Sequence, residues 1–343
     1  MNTNPPKTQT IVRISSQVLE NEFSRVLLKL GFDSGKAKLC AQVFTENSLD
    51  GVYTHGVNRF PRFVRYIKKG VIDVHAEPEL KHRTHALEQW DGHLGPGILN
   101  ALFSTDRAVV LSRESGIGCV ALAHTNHWMR GGTYAWRAAK AGCIFLGWTN
   151  TMANMPAWGA QDCHLGNNPF VVGVPYKGEA IVLDMAMSQF SYGTMELYQL
   201  RGKQLPVPGG YDSTGQLTKD PSAILESTRA LPMGFWKGSG LALLLDILST
   251  VLSGGTSTAE VLKHGMESSL SQVFIAIDVS RLSNHQRIAH VVNSIIEDLH
   301  RSVPASEGEK ILYPGERVLL TRKENLELGI PIDKVIWEEI QAL

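Results

Sequence analysis

The chain lacks most marks of an exported, membrane-bound or nucleic-acid-binding protein. Its 343 residues include only four cysteines, Cys40, Cys119, Cys143 and Cys163. Their spacing fits neither a zinc ligand set nor a CxxC redox pair. Cys119 and Cys143 fall in apolar runs and read as small core residues. Neither sign of charge is in excess: Lys+Arg and Asp+Glu are 33 each. Phosphate binding needs a basic excess somewhere, and pairs such as Lys68-Lys69 stand alone, so no nucleic-acid partner is expected. No window approaches the roughly 20 uninterrupted apolar residues that span a bilayer. The richest run, Leu241 to Leu252, contains Asp246 and reads as a buried core helix. Met1 to Thr10 is polar, carries Pro5-Pro6 and has no apolar core or cleavage site of a signal peptide. These absences lead us to expect no membrane association and a reducing, cytoplasmic setting.

What remains is the composition of a packed globular protein, 43% hydrophobic and 19% charged. Helical spacing begins at Ser16 and closes at Gly31, resumes from Ser34 to near Gly51, and returns over Arg59 to Lys69 before Gly70. The middle changes character. Gly118–Ala123, Cys143–Thr149, Pro169–Val174, Ala180–Leu183 and Val273–Asp278 are apolar runs of strand length. A helix-like stretch, Tyr134–Ala141, separates the first two and predicts a crossover unit. A long helix is expected from near Ser239 to Ser249 and an amphipathic one over Arg287–His300. Helical pieces at Glu324–Leu328 and Ile332–Ala342 finish the chain. Leu205–Asp220, rich in Pro and Gly, reads as a long surface loop. The expected organisation is a disordered tail over 1–13, a helical lobe over 14–75, an α/β core over 76–325 and a helical segment over 326–343 packing back on the fold.

The obvious dinucleotide signature is misplaced. Gly116-Ile117-Gly118-Cys119-Val120-Ala121 has the GxGxxG spacing, but a helix precedes it and a strand follows, the reverse of what presents helix N–H groups to a pyrophosphate. It reads as a helix-ending turn.

Five other clusters carry candidate chemistry. Tyr53-Thr54-His55-Gly56-Val57-Asn58-Arg59 combines an imidazole, which can protonate a carbonyl oxygen near neutral pH, with a guanidinium that grips a carboxylate. The plain alternative is a helix cap beside a surface charge. His124-Thr125-Asn126-His127-Trp128-Met129-Arg130 follows a strand, where α/β sheets bind ligands, or is a polar capping loop. Its histidines are three apart with no carboxylate near, so no metal is expected. Trp148 to Pro169 is rich in Asn, Gly and Pro and reads as a loop with Asx turns. Asp184 ends an apolar strand, as a cap or as the group that orients a histidine. Met233-Gly234-Phe235-Trp236-Lys237-Gly238 opens the long helix, as an anion site or as close packing.

Read together, YTHGVNRFPRF, NHWMRGG, WTNTMANMPAWGA, LGNNPF, LDMAMSQFSYG, LPMGFWKGSGLALLLD and SQVFIAID resemble the type 2 malate/L-lactate dehydrogenases, the sulfolactate dehydrogenase-like oxidoreductases. The resemblance runs from about Val18 to the C-terminus. It implies an α/β, non-Rossmann nicotinamide-binding fold with a mixed sheet and a helical N-terminal lobe. It implies NADH, with NADPH as the alternative, bound extended by a homodimer. The family's proton donor, the His of a Ser-His-Gly motif, falls on His55, with Thr54 here in place of Ser but keeping the hydroxyl. Asp184 is implied beside His55, holding the imidazolium. Cofactor contacts fall on Ala180, Ile181, Val182, Leu183, Asp184, Met185 and Ala186, on Trp236 and Lys237, and on Gly315, Glu316 and Arg317. A related reductase is expected to carry His where Arg317 stands, which puts side-chain contact there in doubt and leaves Gly315 in place.

The expected reaction is reduction of a 2-keto acid to a 2-hydroxy acid. Reduced nicotinamide gives hydride to C2, His55 protonates the oxygen, and Arg59 pairs with the C1 carboxylate. Catalytic His127, with Asn126, Arg130 and Thr54, lines the substrate, and Trp128-Met129-Arg130 leans the reading toward a sugar acid. The rivals are another substrate (malate, lactate, ureidoglycolate or a cyclic imino acid) and a non-catalytic ligand-binding protein on the same fold.

Overall fold

The computed structural model describes residues 10–343. Residues 1–9 of the expected tail lie outside the described residues. Residues 11–13 correct that expectation: they belong to β1 (Ile11–Ile14), which pairs antiparallel with Ile330–Asp333. Helices α1 (Ser16–Lys29) and α2 (Ser34–Leu49) start where Ser15 and Asp33 accept the backbone N–H of Val18 and Lys36. Helix α3 (Phe60–Lys68) carries Pro61 in its first turn, where the missing N–H costs nothing. Phe23, Phe44 and Phe60 lock the three helices together, with ring centroids 4.2–5.8 Å apart.

The hairpin β2 (Glu79–Arg83) and β3 (Leu87–Asp91) leads to α4 (Gly97–Ser115), β4 (Ile117–Thr125), α5 (Gly132–Lys140) and β5 (Cys143–Thr149). Next come β6 (Met155–Pro156), β7 (Cys163–Leu165), β8 (Phe170–Tyr176) and β9 (Glu179–Met185). An excursion follows: α6 (Tyr192–Leu200), β10 (Gly210–Tyr211), β11 (Leu217–Thr218), α7 (Pro221–Ser227) and β12 (Arg229–Ala230). The chain closes with α8 (Trp236–Ser253), α9 (Thr258–Lys263), β13 (Leu270–Asp278), α10 (His285–His300), α11 (Glu316–Leu328), β14 (Ile330–Asp333) and α12 (Lys334–Ala342).

Seven strands form the central sheet in the order β2-β3-β4-β13-β5-β8-β9. Only β3 and β4 pair in parallel; the other pairs are antiparallel, so the sheet is mixed. The β4–α5–β5 crossover is present, with β4 and β5 running the same way. The late strand β13 lies between them, antiparallel to both. Alternation divides the sheet's side chains between two cores. Val120, Leu122 and Phe274 face the core shared with α1–α5, and Ala121 and Val273 face Ala242 and Leu245 of α8.

Gly116 ends α4 in the left-handed region (φ +83°), and a Cβ on Gly118 would overlap the Ala108 carbonyl of α4. The GxGxxG spacing is therefore a helix-ending turn followed by close helix–strand packing. Part of Leu205–Asp220, expected as loop, pairs instead: β10 hydrogen-bonds β11 and β12 in a three-stranded sheet. Ile332 and Asp333, expected as helix, end strand β14, and the Asp333 carboxylate caps α12 through the Val335 N–H. No helix among the described residues is long and apolar enough to cross a membrane.

Candidate active site

His55 ends a 3-10 turn, Tyr53–His55, wedged between α2 and α3. A Cβ on Gly56 would overlap Ser48 Oγ, which accepts the Val57 N–H at 2.9 Å, so only glycine lets the turn lie on α2. Asn47 Nδ2 donates to the His55 carbonyl at 3.0 Å, and Thr133 Oγ1 donates to Asn47 Oδ1 at 2.7 Å. Thr54 Oγ1 stands 3.1 Å from His55 Nδ1. The second histidine arrives from the turn after β4, where His124 (φ +50°) and Met129 (φ +66°) hold left-handed conformations unusual for residues with a Cβ. The Met129 N–H donates to His127 Nδ1 at 2.9 Å, so neutral His127 carries its proton on Nε2. The His55 and His127 rings stack with centroids 5.7 Å apart and planes 18° from parallel.

Both histidines are half-buried in a cleft crowded by protein. Burial pushes His55 well below the ordinary histidine range; His127, Arg59, Arg130 and Arg62 add electrostatic repulsion of its charged form. His127 is likewise lowered, by burial and then by Arg59 and Arg62. Arg59 and Arg62 line a pocket with Phe63, Tyr66, Asn126 and His127. Its free volume is about 10 Å³, no more than a single water needs. Burial lowers the Arg59 pKa, and Glu267, 3.3 Å away, partly restores it. Asn126 is 2% exposed, and its Nδ2 donates toward the carbonyls of Leu94 (2.6 Å), Gly95 (3.1 Å) and Val71 (3.3 Å). That fixes the amide's orientation and leaves Oδ1 without a partner.

Arg130 stands behind this pocket. Its guanidinium pairs with Asp50, which also takes Arg322 Nε at 2.5 Å, and it lies 4.8 Å from the Trp136 ring centre. Asp184 departs from expectation. Among the described residues it makes no hydrogen bond to His55; its Oδ2 accepts the Gly132 N–H at 2.7 Å, at the start of α5. A carboxylate there complements the exposed N–H groups of a helix start, a stronger local pull than a histidine in another segment. Asp184 reaches solvent yet is surrounded by protein atoms, as on a cleft floor. Burial raises its pKa, against the opposing pull of Arg130 and the Gly132 N–H.

The segments expected to hold a nucleotide meet along β9, an edge strand. The Val182 N–H donates to the Pro314 carbonyl at 2.9 Å, seating the Gly315 turn on the strand. Gly315 has φ +95°, and a Cβ there would lie 3.2 Å from Trp136 Cη2 and Val182 N. At the strand's other end the Met233 N–H donates to the Met187 carbonyl at 2.7 Å, bringing Trp236 and Lys237 beside it. Leu183 and Asp184 are exposed between these anchors, while Ala180 and Val182 are buried. The result is a continuous ledge running toward Arg130 and Gly132, with a glycine cradle at one end. That form suits an extended dinucleotide. Glu316 turns away, accepting from the Tyr313 N–H and pairing with His300 at 2.9 Å, and Arg317 is exposed.

Sequence reasoning missed Asp50, Asn47, Arg62 and Glu267. Arg62 could have been found, since Arg59, Arg62, Phe63 and Tyr66 share one helical face. The others act across the fold from segments with no motif of their own.

Comparison with known proteins follows the same lines. The sequence profile described as malate/L-lactate dehydrogenase matches residues 14–341. A 2,3-diketo-L-gulonate reductase of Escherichia coli O6:K15:H31 is 44% identical over 333 residues, 97% of this chain and 100% of that protein. The crystal structure of malate dehydrogenase from Entamoeba histolytica superposes with a TM-score of 0.92 at 26% identity, covering 97% of each chain. Sulfolactate dehydrogenase from Methanocaldococcus jannaschii superposes with a TM-score of 0.85 at 27% identity, covering 96% of this chain and 95% of that one.

Proposed function

The chain belongs to the malate/L-lactate dehydrogenase family, and on that premise we propose that it reduces 2,3-diketo-L-gulonate to 3-keto-L-gulonate with NADH, acting as a cytoplasmic homodimer. The observation that carries the reading is the stacked His55–His127 pair beside Arg59, a proton donor next to a carboxylate clamp. The 180–186 segment, Trp236, Lys237 and the Gly315 turn would hold a reduced nicotinamide dinucleotide along the β9 ledge, where it would supply hydride to a carbonyl carbon. Arg59 grips the C1 carboxylate of the keto acid and so presents C2 to the histidines. His55, protonated, gives its proton to the oxygen that becomes a hydroxyl, held in place by Asn47 at its carbonyl and Thr54 at Nδ1. His127, with its proton on Nε2, donates to the same face of the substrate. The unpartnered Oδ1 of Asn126 accepts from a substrate hydroxyl, which favours a polyhydroxylated acid over pyruvate, since a buried acceptor left unpaired costs about 1–3 kcal/mol. Asp184 fixes the start of α5, and Asp50 holds Arg130 where its charge bears on both His55 and Asp184.

All four cysteines are unpaired, in keeping with a reducing compartment. Burial pushes Cys119 up to about 11, so that thiol takes no part in the chemistry.

The test is loss of NADH and of NADPH absorbance with 2,3-diketo-L-gulonate, pyruvate and Δ1-piperideine-2-carboxylate in parallel. The expected outcome is rapid turnover of the diketo acid with NADH. Turnover of another substrate alone would overturn the substrate assignment, and no turnover with any would leave a ligand-binding protein.

A further inference from the structure

Arg59, the residue assigned to the substrate carboxylate, already holds one. Its Nη2 lies 3.3 Å from Glu267 Oε2, and each side chain is only 17% exposed. The other two arginines that bear on His55 have their own acids: Arg130 is paired with Asp50 inside the protein, and Arg62 with Glu196 at the surface. Glu267 differs from both acids in its setting. It sits in the short connection between α9 and β13, flanked by two residues in the left-handed region, Gly265 (φ +69°) and Ser269 (φ +59°). Nothing lies within 4 Å of where a Cβ on Gly265 would be, so that end of the loop is not packed against a neighbour. The other end is pinned, because Thr256 Oγ1 donates to the Ser269 carbonyl. The pocket that Arg59 lines with Arg62, Asn126 and His127 has a free volume of about 10 Å³, too small for a keto acid as it stands.

We propose that Glu267 is an internal competitor for the carboxylate clamp: it occupies Arg59 in the empty cleft and gives way to the carboxylate of the incoming acid. The exchange swaps one carboxylate for another, so the desolvated guanidinium never stands unpaired and the pocket's net charge is unchanged. A buried cation without its anion would be costly, and Glu267 removes that cost from the empty protein. The same pairing makes the carboxylate of the ligand an entry requirement. A neutral carbonyl compound has nothing to offer Arg59 in exchange and leaves the guanidinium on Glu267. Glu267 is thus a specificity-determining residue, a role that rests on Arg59 being the clamp.

The experiment is titration calorimetry of the NADH-loaded protein with oxamate, an unreactive 2-keto acid isostere, in Glu267→Gln, Arg59→Gln and the double variant. Glu267→Gln is expected to tighten oxamate roughly tenfold, the scale of one competing charge pair. Arg59→Gln is expected to weaken it at least as much, and adding Glu267→Gln to Arg59→Gln to change nothing further. Steady-state kinetics gives a second readout: Glu267→Gln lowers the KM of the keto acid, and in the Arg59→Gln background it no longer does. Unchanged or weakened oxamate binding in Glu267→Gln, with Arg59→Gln still damaging, would overturn the inference and leave Glu267 as a loop or hydroxyl contact. Full oxamate binding in Arg59→Gln would instead overturn the clamp itself. Glu267→Ala repeats the measurement should the glutamine variant fail to fold.

Discussion

At the residue scale the chemistry turns on a contradiction inside the cleft. A proton donor must be protonated, yet burial, His127 and three arginines all push His55, the donor proposed above, toward its neutral form. If His55 is the donor, reduction needs the protonated ring, so kcat/KM for reduction is expected to fall as pH rises through the His55 pKa of the free enzyme, which burial holds well below the ordinary histidine range. Removing a cation must raise it. Arg59→Gln is therefore expected to shift the pH profile of kcat/KM to higher pH while lowering its maximum, and a profile shifted to lower pH would show that Arg59 does not act on His55. His55→Gln is expected to cost about 10²–10⁴ in kcat, the usual contribution of a positioned acid, with NADH affinity by fluorescence titration little changed. His55 and Arg59 were legible in sequence because one short segment carries both. The pressure on His55 was not, because it comes from burial and from residues 62, 127 and 130, which meet only when the turn after β4 comes to lie beside α3.

At the element scale two glycines have opposite structural roles. Gly118 belongs to a motif that looks like a nucleotide loop, yet it only lets β4 lie against the Ala108 carbonyl of α4. Gly315 belongs to no named motif and shapes the cradle against Trp136 and β9. Gly118→Ala is expected to destabilise the fold by about 1–3 kcal/mol through overpacking, seen as a lower urea midpoint, with NADH affinity kept in the folded fraction. Gly315→Ala strains a left-handed position, at about 1–3 kcal/mol, and is expected to weaken NADH roughly tenfold or more because the new methyl enters the cradle. The reverse pattern would return the nucleotide to the GxGxxG turn. The helices and long strands were legible because their apolar spacing is set by the core they face. The insertion of β13 between β4 and β5 was not, since pairing partners far apart in sequence leave no local trace. Two-residue strands such as β10 and β11 are too short for any period, and β14 was absorbed into the helix that its Asp333 caps.

At the scale of the whole molecule, α8 is the element a single chain does not satisfy. One face packs on the sheet through Ala242, Leu245 and Ser249. The other carries Leu244, Ile247, Leu248 and Val251 at i, i+3, i+4 and i+7, with Leu244 54% and Val251 69% exposed. Within the helix the only charges are Lys237, in its first turn, and Asp246. Asp246 turns to the body of the protein, accepting from Asn150 Nδ2 at 3.0 Å and the Thr258 N–H at 2.9 Å. A helix apolar on both faces is normally covered on both, and a continuous uncharged stripe of this kind matches another copy of itself across a two-fold axis. That is the physical support for the proposed homodimer, and it bears on catalysis because the same helix begins at Trp236 and Lys237, on the ledge assigned to the nucleotide. Leu244→Glu with Leu248→Glu places two like charges on each side of the seam. Sedimentation is expected to show the wild-type protein at twice the chain mass and the double variant at the mass of one chain, with NADH binding weakened in parallel. A wild-type protein that sediments as a single chain at micromolar concentration would remove the dimer. A monomeric variant with full NADH affinity would keep the dimer and separate it from the cofactor site.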